Sequence, residues 1–271
     1  MKKYIFRCAF TVWLVLFSIP AQAEYSAREL LDKARDKTAS EPLLRRIDTS
    51  EQSSAAITGQ NRMQQPPQTN VVQIEIDMAR HLARQTFNVQ GQEIIMLKQG
   101  DKAAMKLGTG PWEIPTGPFE NIAKNMGNLF VCEIETPETN DTAITWKVMG
   151  TELLDGNEVF VIESQGNSAV PIAQERMTKG IAKSYLGNPA KPPTVKVLEY
   201  SSKHWISKSD YRRLQVVQTP KYQMTIVLPD GTSQLIETST KATSKYNYEK
   251  FSIDVPPDAQ KLLSKDSNSI K

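Results

Sequence analysis

The sequence predicts an α+β fold built on an antiparallel sheet with a few helices. Apolar and polar residues alternate with a period of two along residues 72–78, which is typical of a strand with one buried and one solvated face. Further short alternating runs follow across tight turns such as Gln90-Gly91-Gln92. No helical segment follows each strand, so a parallel sheet with crossover helices is not expected.

Residues 1–23 predict a cleavable signal peptide. Three basic residues precede an apolar run that leads into Ala21-Gln22-Ala23, a cleavage site of small residues. The apolar run, residues 9–19, is shorter than the roughly 20 residues that a spanning helix needs. Cys8 lies too early in the segment to carry a lipid. We therefore expect cleavage, release into the periplasm and no membrane anchor on the mature chain.

Cleavage would leave a mature chain with no formal net charge. The whole chain has 33 basic and 30 acidic residues, and Lys2, Lys3 and Arg7 would be removed with a leader that contains no acidic residue. A neutral chain offers no field that would attract a phosphate backbone. We expect no nucleic-acid partner.

The mature chain begins with a helix-start signal. Ser26 can cap a helix, Glu29 follows three positions later, and Leu30, Leu31 and Ala34 recur at helical spacing. These residues predict an amphipathic helix over residues 26–37. The next long segment, residues 49–70, is rich in Ser, Gln, Thr and Pro and contains few large apolar residues. Its composition predicts a polar loop of low order.

Strand patterns recur through the rest of the chain, and two helical segments interrupt them. Asp155-Gly156 between two alternating runs predicts a hairpin. Residues 119–130 and 170–185 have helical spacing. The predicted strands are 71–78, 83–89, 93–98, 103–107, 144–149, 158–162, 195–200, 204–207, 213–217, 222–228, 234–240 and 251–255.

No linker divides the mature chain into separate apolar blocks, which predicts one domain over residues 24–271. Residues 264–271 are polar enough to fray. The domain must be held together by its core, because Cys132 alone remains after cleavage and cannot form an internal disulfide.

The sequence lacks the residue groups that catalytic and metal sites need. Its two histidines, His81 and His204, are far apart, and no zinc-binding spacing, nucleophile elbow or phosphate-binding glycine loop is present. We expect no metal, no cofactor and no enzyme activity. An enzyme that pairs His81 or His204 with a carboxylate stays open as an alternative hypothesis.

Methionine and aromatic residues are spread through the predicted elements, and two interpretations of them stay open. They can fill an ordinary core. Alternatively, a curved sheet closed on one side by helices leaves part of its apolar concave face as a ligand cavity, where flexible thioethers suit acyl chains.

Three segments carry a family resemblance: TWKVMGTELLDGNEVFVIE, HWISKSDYRRLQVVQ and YNYEKFSIDVPPDAQKL. They resemble the periplasmic lipoprotein carriers and the LppX-like lipid-binding proteins over about half of the mature chain. The shared features are a Gly-x-Glu hairpin, an aromatic-Ile strand with a Lys-x-Asp turn, and a Tyr-rich strand before Ile-x-Val-Pro. The matching positions are Gly150, Glu152, Gly156, Trp205, Ile206, Lys208, Asp210, Tyr246, Tyr248, Ile253, Val255, Pro256 and Ala259.

The resemblance implies a LolA-like half-barrel, in which an antiparallel curved sheet is covered by a few helices and holds acyl chains inside. In the lipoprotein carriers, an arginine near the early strands bonds helix carbonyls and keeps the cavity lid closed. Arg80 and Arg84 occupy that region of this sequence. The sheet residues expected to line the cavity are Ile74, Ile76, Met78, Phe87, Met96 and Trp146.

These expectations together predict an exported carrier that binds lipid or lipoprotein acyl chains in the cell envelope. Its partners would be a hydrophobic acyl ligand or lipoprotein, with an envelope protein as donor or acceptor. The alternative is a periplasmic scaffold that binds another protein and takes no lipid.

Overall fold

The computed structural model describes residues 25–58, 61–126, 143–184, 192–228 and 231–264. The predicted signal peptide and residues 265–271 of the predicted frayed tail lie outside this part of the chain. Its helices are α1 (Ala27–Ser40), α2 (Pro118–Met126), α3 (Val170–Ser184) and α4 (Pro257–Ser264). Its strands are β1 (Leu43–Thr58), β2 (Asn61–Gln64), β3 (Gln68–Asp77), β4 (Leu82–Val89), β5 (Gln92–Gln99), β6 (Lys102–Leu107), β7 (Trp112–Glu113), β8 (Trp146–Leu154), β9 (Asn157–Ser164), β10 (Thr194–Glu199), β11 (Ser202–Ser207), β12 (Arg213–Gln218), β13 (Lys221–Val227) and β14 (Ser233–Asn247).

All the strands belong to one antiparallel sheet, whose main path runs β7-β6-β5-β4-β3-β1-β14-β12-β11-β9-β8. Within the described residues the end strands β7 and β8 do not pair with each other, so the curved sheet stays unclosed. Beside this path, β2 pairs with β1, β13 pairs with β14, and β10 pairs with β13. The predicted α+β half-barrel is confirmed.

The prediction of a polar loop at residues 49–70 was wrong, because this segment contributes to the centre of the sheet. Most of this segment lies in β1, β2 and the start of β3. β1 pairs with β14 on one side and with β3 on the other, so its backbone groups are satisfied without apolar side chains. Its hydroxyls also find partners, as Ser54 Oγ lies 3.2 Å from Thr238 Oγ1.

Helices α1 and α2 cover the concave face of the sheet. Ser26 accepts a hydrogen bond from the Glu29 backbone, and the Glu29 carboxylate bonds the Ser26 backbone in return, which closes a capping box at the start of α1. Leu30 and Leu31 of α1 then pack against Ile162 and Ile206. Helix α2 packs over β3, β5 and β6 at the other half of the sheet.

The convex face is covered in part by α4, which packs on Leu82, Leu97 and Ala104 of β4 to β6. Residues 251–255 lead into α4 and are not a strand, so that prediction was wrong. This segment packs its apolar side chains on the same cluster, and the carbonyl of Ile253 accepts a hydrogen bond from Arg80 instead of a strand neighbour.

Helix α3 closes the edge of the sheet at β10. The Gln174 side chain donates from Nε2 to the Val195 carbonyl at 2.8 Å and accepts at Oε1 from the Val197 amide at 2.7 Å. One glutamine therefore satisfies two backbone groups of an edge strand, where a further strand would otherwise bond.

Candidate functional site

The concave face of β1 and β3 to β6 carries a buried apolar cluster against α2. Alternation along each strand directs these side chains inward, and four residues of α2 complete the cluster from above. Five of the six predicted cavity residues lie here: Ile74, Ile76 and Met96 are buried, while Met78 and Phe87 pack at its margin.

Between α2 and strands β1, β3 and β4 the concave face contains a cavity of about 300 Å³. One wall is apolar, and its residues are Val72, Ile74, Ile122 and Met126. The other wall is polar, and its residues are Arg46, Asp48, Gln85 and Asn125. A cavity with this division suits a molecule that has an apolar part and a polar part.

The polar wall is organised around an ion pair on β1. Arg46 Nη2 lies 2.9 Å and Arg46 Nε lies 3.0 Å from the same carboxylate oxygen of Asp48, Oδ2. The other oxygen, Oδ1, is buried and has no hydrogen-bond partner within the described residues. The wall therefore contains an acceptor that a bound molecule could use.

The sixth predicted residue, Trp146, lies at the other end of the concave face. It lines a groove of about 900 Å³ between the start of α1 and the edge strand β8. Tyr25, Leu30, Val148 and Phe160 supply further apolar surface there. The structure thus divides the predicted residues between a cluster beneath α2 and a separate groove beside α1.

The two lid candidates do not face the cavity. Arg84 pairs with Glu75, which alternates with Ile74 and Ile76 and so lies on the convex face. Arg80 bonds the Asp77 carboxylate at 2.6 Å and the Ile253 carbonyl at 2.8 Å, and Ile253 is not in a helix. Neither arginine bonds a helix carbonyl in these contacts, and the lid assignment stays a prediction.

The arginine that faces the cavity is Arg46, which the sequence analysis missed together with Asp48. Both lie on the same face of β1 as the buried Leu44. Alternation along Leu44-Arg46-Asp48 would have found them, had this segment been recognised as a strand.

The two histidines lie in different surroundings, one in the core and one on a turn. His204 is fully buried, its Nε2 lies 3.1 Å from Ser202 Oγ, and burial, reinforced by the charge of Arg213, holds its pKa well below the usual value. His81 is an exposed turn residue with a φ of 47°.

Within the described part of the chain, no group of three His, Cys, Asp or Glu residues could hold a metal ion. None of the described helices has the length and apolar character needed to cross a membrane.

Comparisons with known proteins find no matching family model and no matching curated protein. Lipoprotein LppX from Mycobacterium tuberculosis is similar at 12% sequence identity and a TM-score of 0.41, over 84% of this chain and 98% of that chain. LprF from Mycobacterium bovis is similar at 11% identity and a TM-score of 0.43, over 86% and 97%. A putative outer membrane lipoprotein-sorting protein domain from Vibrio parahaemolyticus has 12% identity and a TM-score of 0.24, over 88% and 98%. Function does not follow from a likeness this distant.

Proposed function

We propose that this protein is a carrier of the cell envelope that binds an acyl chain of a lipid or lipoprotein on the concave face of its half-barrel. The observation that carries the proposal is the cavity between α2 and the sheet, with its apolar wall of Val72, Ile74, Ile122 and Met126. Each methylene that an acyl chain buries there contributes about 0.8 kcal/mol.

The short helix α2 gives the cavity a means of enlargement. Ile76 and Met96 lie in the cluster beneath α2, next to the cavity residue Ile74. A small outward shift of this nine-residue helix would expose them to a longer chain. We propose Ile76, Met78, Phe87 and Met96 as the deeper wall of the occupied site, and Trp146 as the wall of the groove beside α1.

The proposed location is the periplasm, and it depends on the signal-peptide pattern of residues 1–23. The proposed partners are an acyl ligand or lipoprotein and an envelope protein that delivers or receives it. Radiolabelled or tagged full-length protein, fractionated from a Gram-negative host, should be recovered in the periplasm with an N-terminus at Glu24.

The binding proposal is tested by native mass spectrometry and solvent extraction of protein purified without detergent. We expect acyl cargo on the wild type and displacement of a fluorescent acyl probe by fatty-acyl compounds. Ile122→Trp should fill the cavity and reduce the affinity for the probe at least about tenfold, because the probe would lose the burial of a few methylenes. Ile74→Glu should do the same by placing a charge in the apolar wall.

The matched control is Val71→Glu, which places the same charge on β3 at a side chain that is 48% exposed and alternates with the cavity residue Val72, so that it lies on the other face of the strand. It should leave probe binding unchanged. Urea unfolding of each variant establishes that the fold is kept. Absence of cargo, together with no probe binding by folded wild-type protein, would rule the carrier out.

A scaffold function is the second candidate, and the edge strand β8 favours it. Met149 and Leu153 on this strand are 51% and 72% exposed, and β8 pairs only with β9 in the described part of the sheet. Cross-linking in cells separates the two functions: a stoichiometric protein partner without lipid favours the scaffold, whereas acyl cargo favours the carrier.

A further inference from the structure

The cavity has a polar wall whose charges cancel. Arg46 directs two nitrogen atoms at one oxygen of Asp48, and these are the only charged residues that line the cavity among the described residues. Because the guanidinium is already engaged by a carboxylate, it has little remaining attraction for a second anion. The wall is therefore not an anion-binding site in the usual sense.

The second carboxylate oxygen determines what this wall can accept. Asp48 Oδ1 is buried and has no hydrogen-bond partner in the described residues. A buried acceptor without a partner is costly, so a ligand that brings a donor gains the full hydrogen bond. A hydroxyl can donate to it, whereas a ligand carboxylate has no proton to donate at neutral pH and is repelled by the charge.

The remaining polar residues fit the same kind of head group. Gln85 and Asn125 line the cavity beside Asp48, and a side-chain amide can both donate and accept. Val72, Ile74, Ile122 and Met126 lie within the same cavity and provide the surface for the adjoining hydrocarbon. The polar and apolar walls are close enough to bind one amphiphilic molecule.

We propose that the cavity selects acyl ligands with a neutral, hydroxyl-bearing head group, of the glyceride kind, over fatty-acid anions, and that Asp48 Oδ1 accepts the hydrogen bond from the head-group hydroxyl. This inference rests on the proposed acyl-binding function. It adds the chemical class of the head group and the residue that recognises it.

The test compares three probes of equal chain length: monodecanoylglycerol, decanoate and decyltrimethylammonium. Each is titrated against the mature chain, residues 24–271, at a pH near 7.5, where a carboxylic acid is ionised. We expect monodecanoylglycerol to bind at least about tenfold more tightly than decanoate, because one hydrogen bond to a charged acceptor contributes a difference of this size. It should also bind more tightly than the ammonium probe, whose methylated nitrogen has no proton to donate to Asp48.

Two variants assign the preference to Asp48. Asp48→Asn removes the charge and should reduce the preference over decanoate to less than about threefold, whereas Gln85→Glu adds a second carboxylate to the wall and should increase it. Glu51→Gln is the matched control, because Glu51 lies on the same strand, is exposed and alternates to the other face. It should leave the preference unchanged.

The outcomes separate this inference from the proposed function. Equal or tighter binding of decanoate, tighter binding of the ammonium probe, or an unchanged preference in Asp48→Asn overturns the head-group selection while leaving acyl binding in place. If none of the probes binds the folded wild type, the carrier function fails and the inference fails with it.

Discussion

Trp146 and His204 meet edge to face inside the half-barrel, with ring centroids 5.1 Å apart. The His204 side chain is fully buried, and its pKa lies well below the usual value because burial disfavours the charged ring and Arg213 repels it. The folded protein therefore holds a neutral imidazole, with Nε2 close to the Ser202 hydroxyl. Protonation must oppose both effects.

The buried His204 predicts a loss of stability in mild acid. As the pH falls below about 6.5, the unfolded imidazole binds a proton that the folded one does not, so the free energy of unfolding decreases by up to about 1.4 kcal/mol per pH unit. Above that pH the contribution is constant. Urea unfolding between about pH 7.5 and pH 5.5 measures it, before most carboxylates titrate.

His204→Gln should flatten this pH dependence, because glutamine stays neutral across the range. His81→Asn is the control, since His81 is exposed and asparagine tolerates its positive φ. It should keep the wild-type slope. An equal slope in His204→Gln would show that another group causes the loss.

Glu75→Gln should destabilise the protein by about 2 to 3 kcal/mol, because it removes a buried carboxylate that two arginines share. Arg45 Nε lies 2.8 Å from Glu75 Oε1, and Arg84 pairs with the other oxygen. Both guanidinium groups reach solvent, which keeps the cost below that of breaking a fully buried ion pair. The measurement is equilibrium unfolding in urea.

Glu158→Gln is the control for this charge change. Its carboxylate is 67% exposed and lies 3.3 Å from Lys208, so its loss should change the free energy of unfolding by less than about 0.5 kcal/mol. Equal effects in the two variants would contradict a structural role for the Glu75 cluster.

Gln174→Ala should lower the free energy of unfolding by about 1 to 2 kcal/mol, because it leaves the Val195 carbonyl and the Val197 amide without their side-chain partners. The uncovered β10 edge should also promote self-association. Urea unfolding and sedimentation velocity measure the two effects. Glu175→Ala, which removes an exposed pair with Lys179, should change neither.

Ser26→Ala should cost about 1 kcal/mol and increase hydrogen exchange in the first turn of α1, because it breaks the capping box with Glu29. Ser26→Asp should restore most of the loss, since aspartate is also a strong N-cap residue. If the alanine and aspartate variants exchange alike, the cap does not hold this end of α1.

Local signals located α1, α3 and the hairpin at Asp155-Gly156, because a cap, a helical period and a turn each act over a few residues. The irregular segment at 251–255 had strand-like alternation but pairs with a side chain and packs against α4. Alternation reports which residues are buried and does not report what buries them.

The sequence by itself determined the antiparallel α+β class and the inward face of β3, where Ile74 and Ile76 alternate with polar residues. Only the tertiary structure decided that the polar residues of β1 form the centre of the sheet, and that Arg46 and Asp48, instead of Arg80 and Arg84, face the cavity. The physical reason is that β1 gains its order from backbone bonds to β14, which is distant in sequence, and no local pattern specifies that partner.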